Sequence, residues 1–191
     1  MERMMLQESD PSEARSVRLF LVDGTVNGII RADPARNALL FRAPRSRLKE
    51  LYQREEANRR GVYILSGYDF DDPTRQKIYV GETDCVRRRL PIQDRNFDFF
   101  ERATIAVGKD DNLSKDHFRF IESELIRLAS AASIVTAMNG NSPEFSRLSE
   151  SDRLEAKTFL MKFCSCYRYW ASTSSGPWAI SWLQMNRTRR D

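Results

Sequence analysis

The sequence predicts an α/β (α+β) fold, a small mixed β-sheet flanked by helices and preceded by a small α+β element. Three observations predict it. Gly61-Val62-Tyr63-Ile64-Leu65 and Lys77-Ile78-Tyr79-Val80-Gly81 are β-branched and aromatic over strand lengths, and a polar link holding Gly67, Asp69, Asp71, Asp72 and Pro73 separates them as a long hairpin loop. Arg102-Ala103-Thr104-Ile105-Ala106-Val107 is a third run of the same kind. Phe118, Ile121, Leu125, Leu128 and Ala129 recur at helical spacing behind a capping Ser114, which predicts a long helix to about Ala132 packed on the sheet.

The preceding element follows the same logic. Val17 to Val22 reads as a strand closed by the turn Asp23-Gly24, and Gly28 to Ala32 and Ala38 to Arg42 add two more across the turn at Asp33-Pro34. Pro44 ends the extended region. Ser46 then caps a helix reaching about Asn58, with Leu48, Leu51 and Tyr52 on one face. Arg42, Arg45, Arg47, Lys49, Arg54, Arg59 and Arg60 make this section basic, either as a phosphate-contacting surface or as a solvated helix face. After Gly81 the period changes again, and Thr83 or Asp84 caps a helix from about Cys85 that carries Arg87, Arg88 and Arg89. Ser149 to Asp152 resembles a capping sequence before a last helix with Ala156, Phe159, Leu160 and Phe163 aligned. Beyond Tyr167, Tyr169, Trp170, Trp178, Trp182 and Arg187 to Arg190 show no periodicity. They serve either to stack on bases and hold phosphates, or to close the core ahead of a solvated tail.

Composition narrows the classes. A chain of 191 residues with 41% hydrophobic and 30% charged content is globular in character, and a net charge of +4 fits either a nucleic-acid partner or solvated surface cations. Cys85, Cys164 and Cys166 are too few and too unevenly spaced for a disulfide framework or a four-ligand zinc site. With no apolar signal region in the first twenty residues and no run of membrane-spanning length, a cytoplasmic protein without a membrane partner is expected. Phosphate loops of the P-loop or dinucleotide type, internal repeats and a nucleophile elbow are all lacking.

Glu122 stands out within the helical stripe. It has Phe118 one turn before it and Leu125 and Ile126 one turn after, a place where an ionised carboxylate is costly unless paired or bound to metal. Glu124 lies to one side near Arg127, as a surface charge. His117, the single histidine, and Lys115 sit just before that glutamate, placed either to move a proton and touch a phosphate or to form first-turn hydrogen bonds.

In sequence order, Gly61-Val62-Tyr63, Tyr79-Val80-Gly81, Arg89, Glu122 in Glu-Ser-Glu-Leu-Ile, and Asn139 together resemble the GIY-YIG nuclease family. The resemblance covers residues 61 to about 141 and divides the chain into an N-terminal element (1–60), a GIY-YIG nuclease-like domain (61–145), and a C-terminal helix with a basic aromatic tail (146–191). It implies metal-dependent endonuclease cleavage of DNA, double-stranded rather than single-stranded, with Tyr63 as base beside Tyr79, Arg89 as phosphate clamp and Glu122 as ligand of Mg²⁺ or Mn²⁺. Asn139 would brace the site, with Asn141 as its rival. The chemistry is coherent: a guanidinium fork matches phosphate oxygens, and one hard carboxylate oxygen with waters and a substrate phosphate suffices for Mg²⁺. Glu82 departs from the pattern, since repair-type members often carry lysine there. A non-catalytic nucleic-acid-binding module on the same scaffold, or an interaction protein using the basic flank, are the other readings.

Overall fold

The computed structural model describes residues 17–34, 37–70, 72–73, 75–131, 135–140 and 148–173. Seven strands form one sheet in the order β1-β2-β3-β6-β4-β5-β7. They are β1 (Arg18–Leu21), β2 (Ile30–Asp33), β3 (Ala38–Pro44), β4 (Gly61–Tyr68), β5 (Gln76–Thr83), β6 (Phe100–Gly108) and β7 (Val135–Ala137). Every neighbouring pair is antiparallel except β5–β7, which is parallel, so the sheet is mixed as expected. The N-terminal strands continue this sheet, because β3 runs beside β6 from Ala38↔Gly108 to Pro44↔Arg102. Gly24 turns the chain out of β1 at φ +75°, a left-handed conformation that glycine enters without cost.

Helices cover both faces. Val62, Ile64, Ile78 and Val80 point to one side, where they are covered by Phe118, Ile121, Leu125 and Ala129 of α3 (Lys115–Ser130) and by Ala156, Phe159, Phe163 and Trp170 of α4 (Glu150–Thr173). Tyr63, Leu65, Ile105 and Val107 point to the other, against Leu48 and Leu51 of α1 (Leu48–Tyr52) and Val86 and Leu90 of α2 (Val86–Asn96). With both faces covered, β4 is buried from Gly61 to Gly67, which is why that stretch reads as an unbroken apolar run.

Four expectations need correction. The helix expected to reach Asn58 is only five residues long: Arg54 turns extended at ψ 146°, and 3₁₀ turns at Arg45–Arg47 and Glu55–Asn58 flank it. No side chain caps it, Ser46 included. The N-cap of α2 is Cys85 rather than Thr83 or Asp84, with Thr83 Oγ1 accepting from the Cys85 N–H at 3.1 Å. The last helix does not fade after Tyr167 but runs to Thr173. Its apolar row 159/163/166/170 places Trp170 at 1% exposure, and Trp170 O accepts from Arg42 Nη1 at 2.9 Å. The short β7 was not expected at all. Trp178, Trp182 and Asn141 lie outside the described residues. Among those described, no helix is long and apolar enough to cross a membrane.

Candidate functional site

The tyrosines come first. Tyr63 sits in the middle of β4, fully buried, and its register partner on β5 is Gly81. A Cβ at position 81 would overlap Tyr63 Cζ and Oη, so the glycine of the second tripeptide exists to let the phenol of the first lie across the neighbouring strand. Tyr79, two residues earlier on the same face of β5, is half-buried. Its ring centroid is 6.2 Å from that of Tyr63 and 4.5 Å from that of Phe97.

Helix α2 brings the cation. Burial of Val86, Leu90 and Gln93 fixes its rotation, and Arg89 then lies where the Tyr63 and Tyr79 phenols raise its pKa, with the Gln93 amide 3.0 Å from its Nε and Nη2. Arg88 points to solvent, and Arg87 Nη2 is spent on Arg54 O at 2.9 Å. Of three consecutive arginines, the one singled out in the sequence is therefore the one at the tyrosines. Gln93 was missed. A polar atom of its amide lies 3.1 Å from Tyr63 Oη and 3.0 Å from both Nε and Nη2 of Arg89. Arginine only donates, so that atom is the amide oxygen and the Tyr63 hydroxyl donates to it. The signal was available, since Gln93 is four residues after Arg89 on one helix face. Burial, with some help from Tyr79, pushes the Tyr63 phenol up to about 12, against the pull of Arg89 and Gln93.

The remaining members line the open edge of β5. Strand β7 pairs only with Gln76, Lys77 and Ile78, and past that point side chains replace the missing strand. Asn139 Oδ1 accepts from Val80 N at 3.0 Å, and its Nδ2 donates to Val80 O at 2.7 Å. Glu122 Oε1 accepts from Glu82 N at 3.1 Å. Glu122 Oε2 makes no hydrogen bond among the described residues. Burial pushes this carboxyl up to about 7; the Glu82 N–H works against burial, the Glu82 carboxylate adds to it, and Arg119 and Arg89 oppose it.

Lys115 and His117 are engaged elsewhere. Lys115 Nζ pairs with Asp84 Oδ2 at 3.1 Å, and Asp84 also takes Arg60 Nε at 2.8 Å; those two hydrogen bonds hold its carboxyl below the usual range. His117 Nδ1 accepts from the Ser114 N–H at 3.2 Å and meets its hydroxyl at 2.7 Å, closing a capping box, while Nε2 faces Asp152 and Glu155 of α4 at 3.8 and 3.9 Å. The Nδ1 contacts are the first-turn hydrogen bonds of a helix start. Glu124 pairs with Arg127 at 2.9 Å.

The basic section before β4 is also accounted for internally. Arg42 is buried under Trp170, Arg45 pairs with Asp94 at 2.8 Å and lies over the Phe100 ring at 4.4 Å, and Arg47 holds Asp23 at 3.0 Å. Arg54 pairs with Glu56 at 3.3 Å, and Arg59 donates to Gly108 O at 3.0 Å. Most of these guanidiniums also tie the first helix and its flanks to the rest of the chain. Sequence spacing could not show most of this, because all these partners but Glu56 are distant in the chain.

On this geometry the described residues bring a pair of tyrosines and an arginine together on one face of the sheet and the Glu122 carboxyl to the strand edge. Among the described residues no three His, Cys, Asp or Glu side chains cluster to hold a metal. Comparison with protein-family models, with curated proteins and with solved structures finds no match to this chain.

Proposed function

We propose that this chain is a metal-dependent endonuclease that hydrolyses DNA phosphodiester bonds at the β5 edge. The observation that carries the reading is convergence: Tyr63, Tyr79, Arg89 and Glu122, from four separate segments, gather around one strand, the tyrosine rings 6.2 Å apart, Gln93 joining Tyr63 to Arg89, and Glu122 on the Glu82 N–H. A core of packed aromatics would not need a half-buried carboxylate beside an arginine.

Arg89 holds the phosphate, its fork already oriented by the Gln93 amide. Glu122 is the residue that would hold a divalent cation, and the fit is in its own atoms: Oε1 is anchored on Glu82 N–H and Oε2 is left free as one hard oxygen. Mg²⁺ or Mn²⁺ bound there would supply charge stabilisation to the leaving oxygen. Proton removal from water falls to the tyrosine pair. Tyr63 is neutral in the free protein, and whichever phenol takes the proton must be a phenolate at that moment. Arg89, whose charge lowers the Tyr63 pKa, is the group that favours that state. Asn139 braces the strand that carries Tyr79.

Plasmid DNA incubated with the purified protein is nicked or linearised with Mg²⁺ or Mn²⁺ and left intact in chelator; cutting that continues in chelator ends the metal reading. Arg89→Lys lowers the cleavage rate by about a hundredfold, since a point charge cannot bridge the Gln93 amide and a phosphate, whereas Arg88→Lys, at a solvent-facing position, cuts like the parent. Equal losses at both positions would mean that the phosphate meets the outer face of α2 instead.

One observation favours a second reading. Glu122 and Asn139 both satisfy backbone groups of β5, which gives each a structural reason to be present in a nucleic-acid-binding module that does not cut. DNA binding without cleavage under any metal selects it.

A further inference from the structure

We propose that Arg119 is a second phosphate-binding arginine, gripping the nucleic-acid backbone on the face of β5 opposite Arg89. This rests on the DNA-directed reading of the same site. Arg119 is one helical turn before Glu122 on α3, a separation that puts the two side chains next to each other. Helix α3 covers the Val80 face of the sheet and α2 covers the Tyr63 face.

Arg119 is placed to take a ligand in a way the other arginines nearby are not. Those at 42, 45, 47, 54, 59 and 60 are closed by hydrogen bonds or ion pairs at normal length. Arg119 stays 47% exposed, and its one ion pair among the described residues is with Glu82 Oε1 at 4.0 Å, the outer limit of such a contact. A pair that open holds the guanidinium near the edge without satisfying it. Glu82 is itself poorly matched, for its Oε2 is buried with no hydrogen-bond partner. A backbone phosphate arriving at the edge offers Arg119 two oxygens in place of one distant carboxylate oxygen, and bidentate geometry favours the exchange. Strand DNA lying across β5 would then be held from both faces, with Arg89 at the scissile phosphate and Arg119 at a neighbouring one.

The test measures affinity for a short DNA duplex against salt concentration, with Ca²⁺ in the buffer, alongside steady-state cleavage in Mg²⁺. The variants are Arg119→Ala, Arg119→Lys, Glu82→Gln and Glu82→Gln/Arg119→Ala, with Arg153→Ala on α4 as reference. Arg119→Ala is expected to weaken binding about tenfold and to reduce the slope of log affinity against log salt by about one. KM rises and kcat changes little. Arg119→Lys keeps the slope, and the effect of the alanine persists in the Glu82→Gln background. An unchanged slope and affinity in Arg119→Ala overturns the proposal. So does an effect that vanishes once Glu82 is neutral, which would reduce Arg119 to a counter-charge. If the parent never cuts and Arg119→Ala still lowers slope and affinity, the hydrolase reading fails and Arg119 stands. If the parent cuts and Arg119→Ala changes neither, Arg119 alone fails.

Discussion

Glu122→Gln is expected to lose metal-dependent cleavage by about a hundredfold or more in kcat while staying folded. The amide keeps an oxygen at the place of Oε1, so the Glu82 N–H retains its acceptor, and what disappears is the negative charge on the free oxygen. Binding of DNA is retained or improved, because a repulsive charge beside the phosphate has gone. Stability carries a second signature. The folded carboxyl titrates near 7, above its ordinary value of 4.5, so the folded state holds this proton more tightly than the unfolded chain does. The parent therefore loses stability as pH rises from the ordinary carboxylate range towards 7, and the glutamine variant lacks that loss. The difference between the two in thermal melting opens through that window in favour of the variant and is flat above it. Glu124→Gln, which gives up only the ion pair to Arg127, cuts normally. Parent-like cutting by Glu122→Gln removes Glu122 from the chemistry, and coincident melting curves at every pH would show that its charge carries no burial cost.

Gly81→Ala tests the other half of the site. The added methyl has no space, for its position is taken by the Tyr63 ring, and Tyr63 is itself fully enclosed by the α2 layer. Overpacking of this kind costs about 1–3 kcal/mol, and the relief available is to push the phenol away from Arg89 and Gln93. We expect a lower melting temperature together with a loss of cleavage of about a hundredfold, close to that of Arg89→Lys. Gly140→Ala, where nothing lies within 4 Å of the new methyl, changes neither. A Gly81→Ala protein that melts early but cuts at the parental rate would show that the Tyr63 phenol has no part in the reaction.

The core of the fold was legible where local pattern and tertiary role coincide. The hairpin β4–β5, strand β6 and the stripe of α3 follow from apolar period alone, and Arg89 was singled out from its neighbours before the rotation of α2 was known. What failed depends on partners that sequence spacing does not carry. The basic run from Arg42 to Arg60 pairs with Asp23, Asp94, Glu56, Asp84 and backbone carbonyls, contacts that charge density alone does not reveal. Strand β7 is three residues long, below the length at which alternation can be read. The helical run to Trp170 was hidden by the Cys, Ser, Tyr and Arg residues between its buried positions. Gln93 went unnoticed because an amide has no charge to draw attention, and its role appears only once Arg89 and Tyr63 stand beside it.

Strand β5 is bounded on one side by β4 and, over its second half, by two side chains instead of a strand. An unpaired strand edge offers its N–H and C=O groups to any extended chain that passes, and is a common point of entry for aggregation. Asn139 presents an acceptor and a donor to Val80 with the spacing of a peptide group, and Glu122 presents an acceptor to Glu82. They occupy the ladder that a foreign strand would use. Any sequence change that shortens either side chain would uncover an adhesive edge, so cells would meet such a protein as an aggregation hazard.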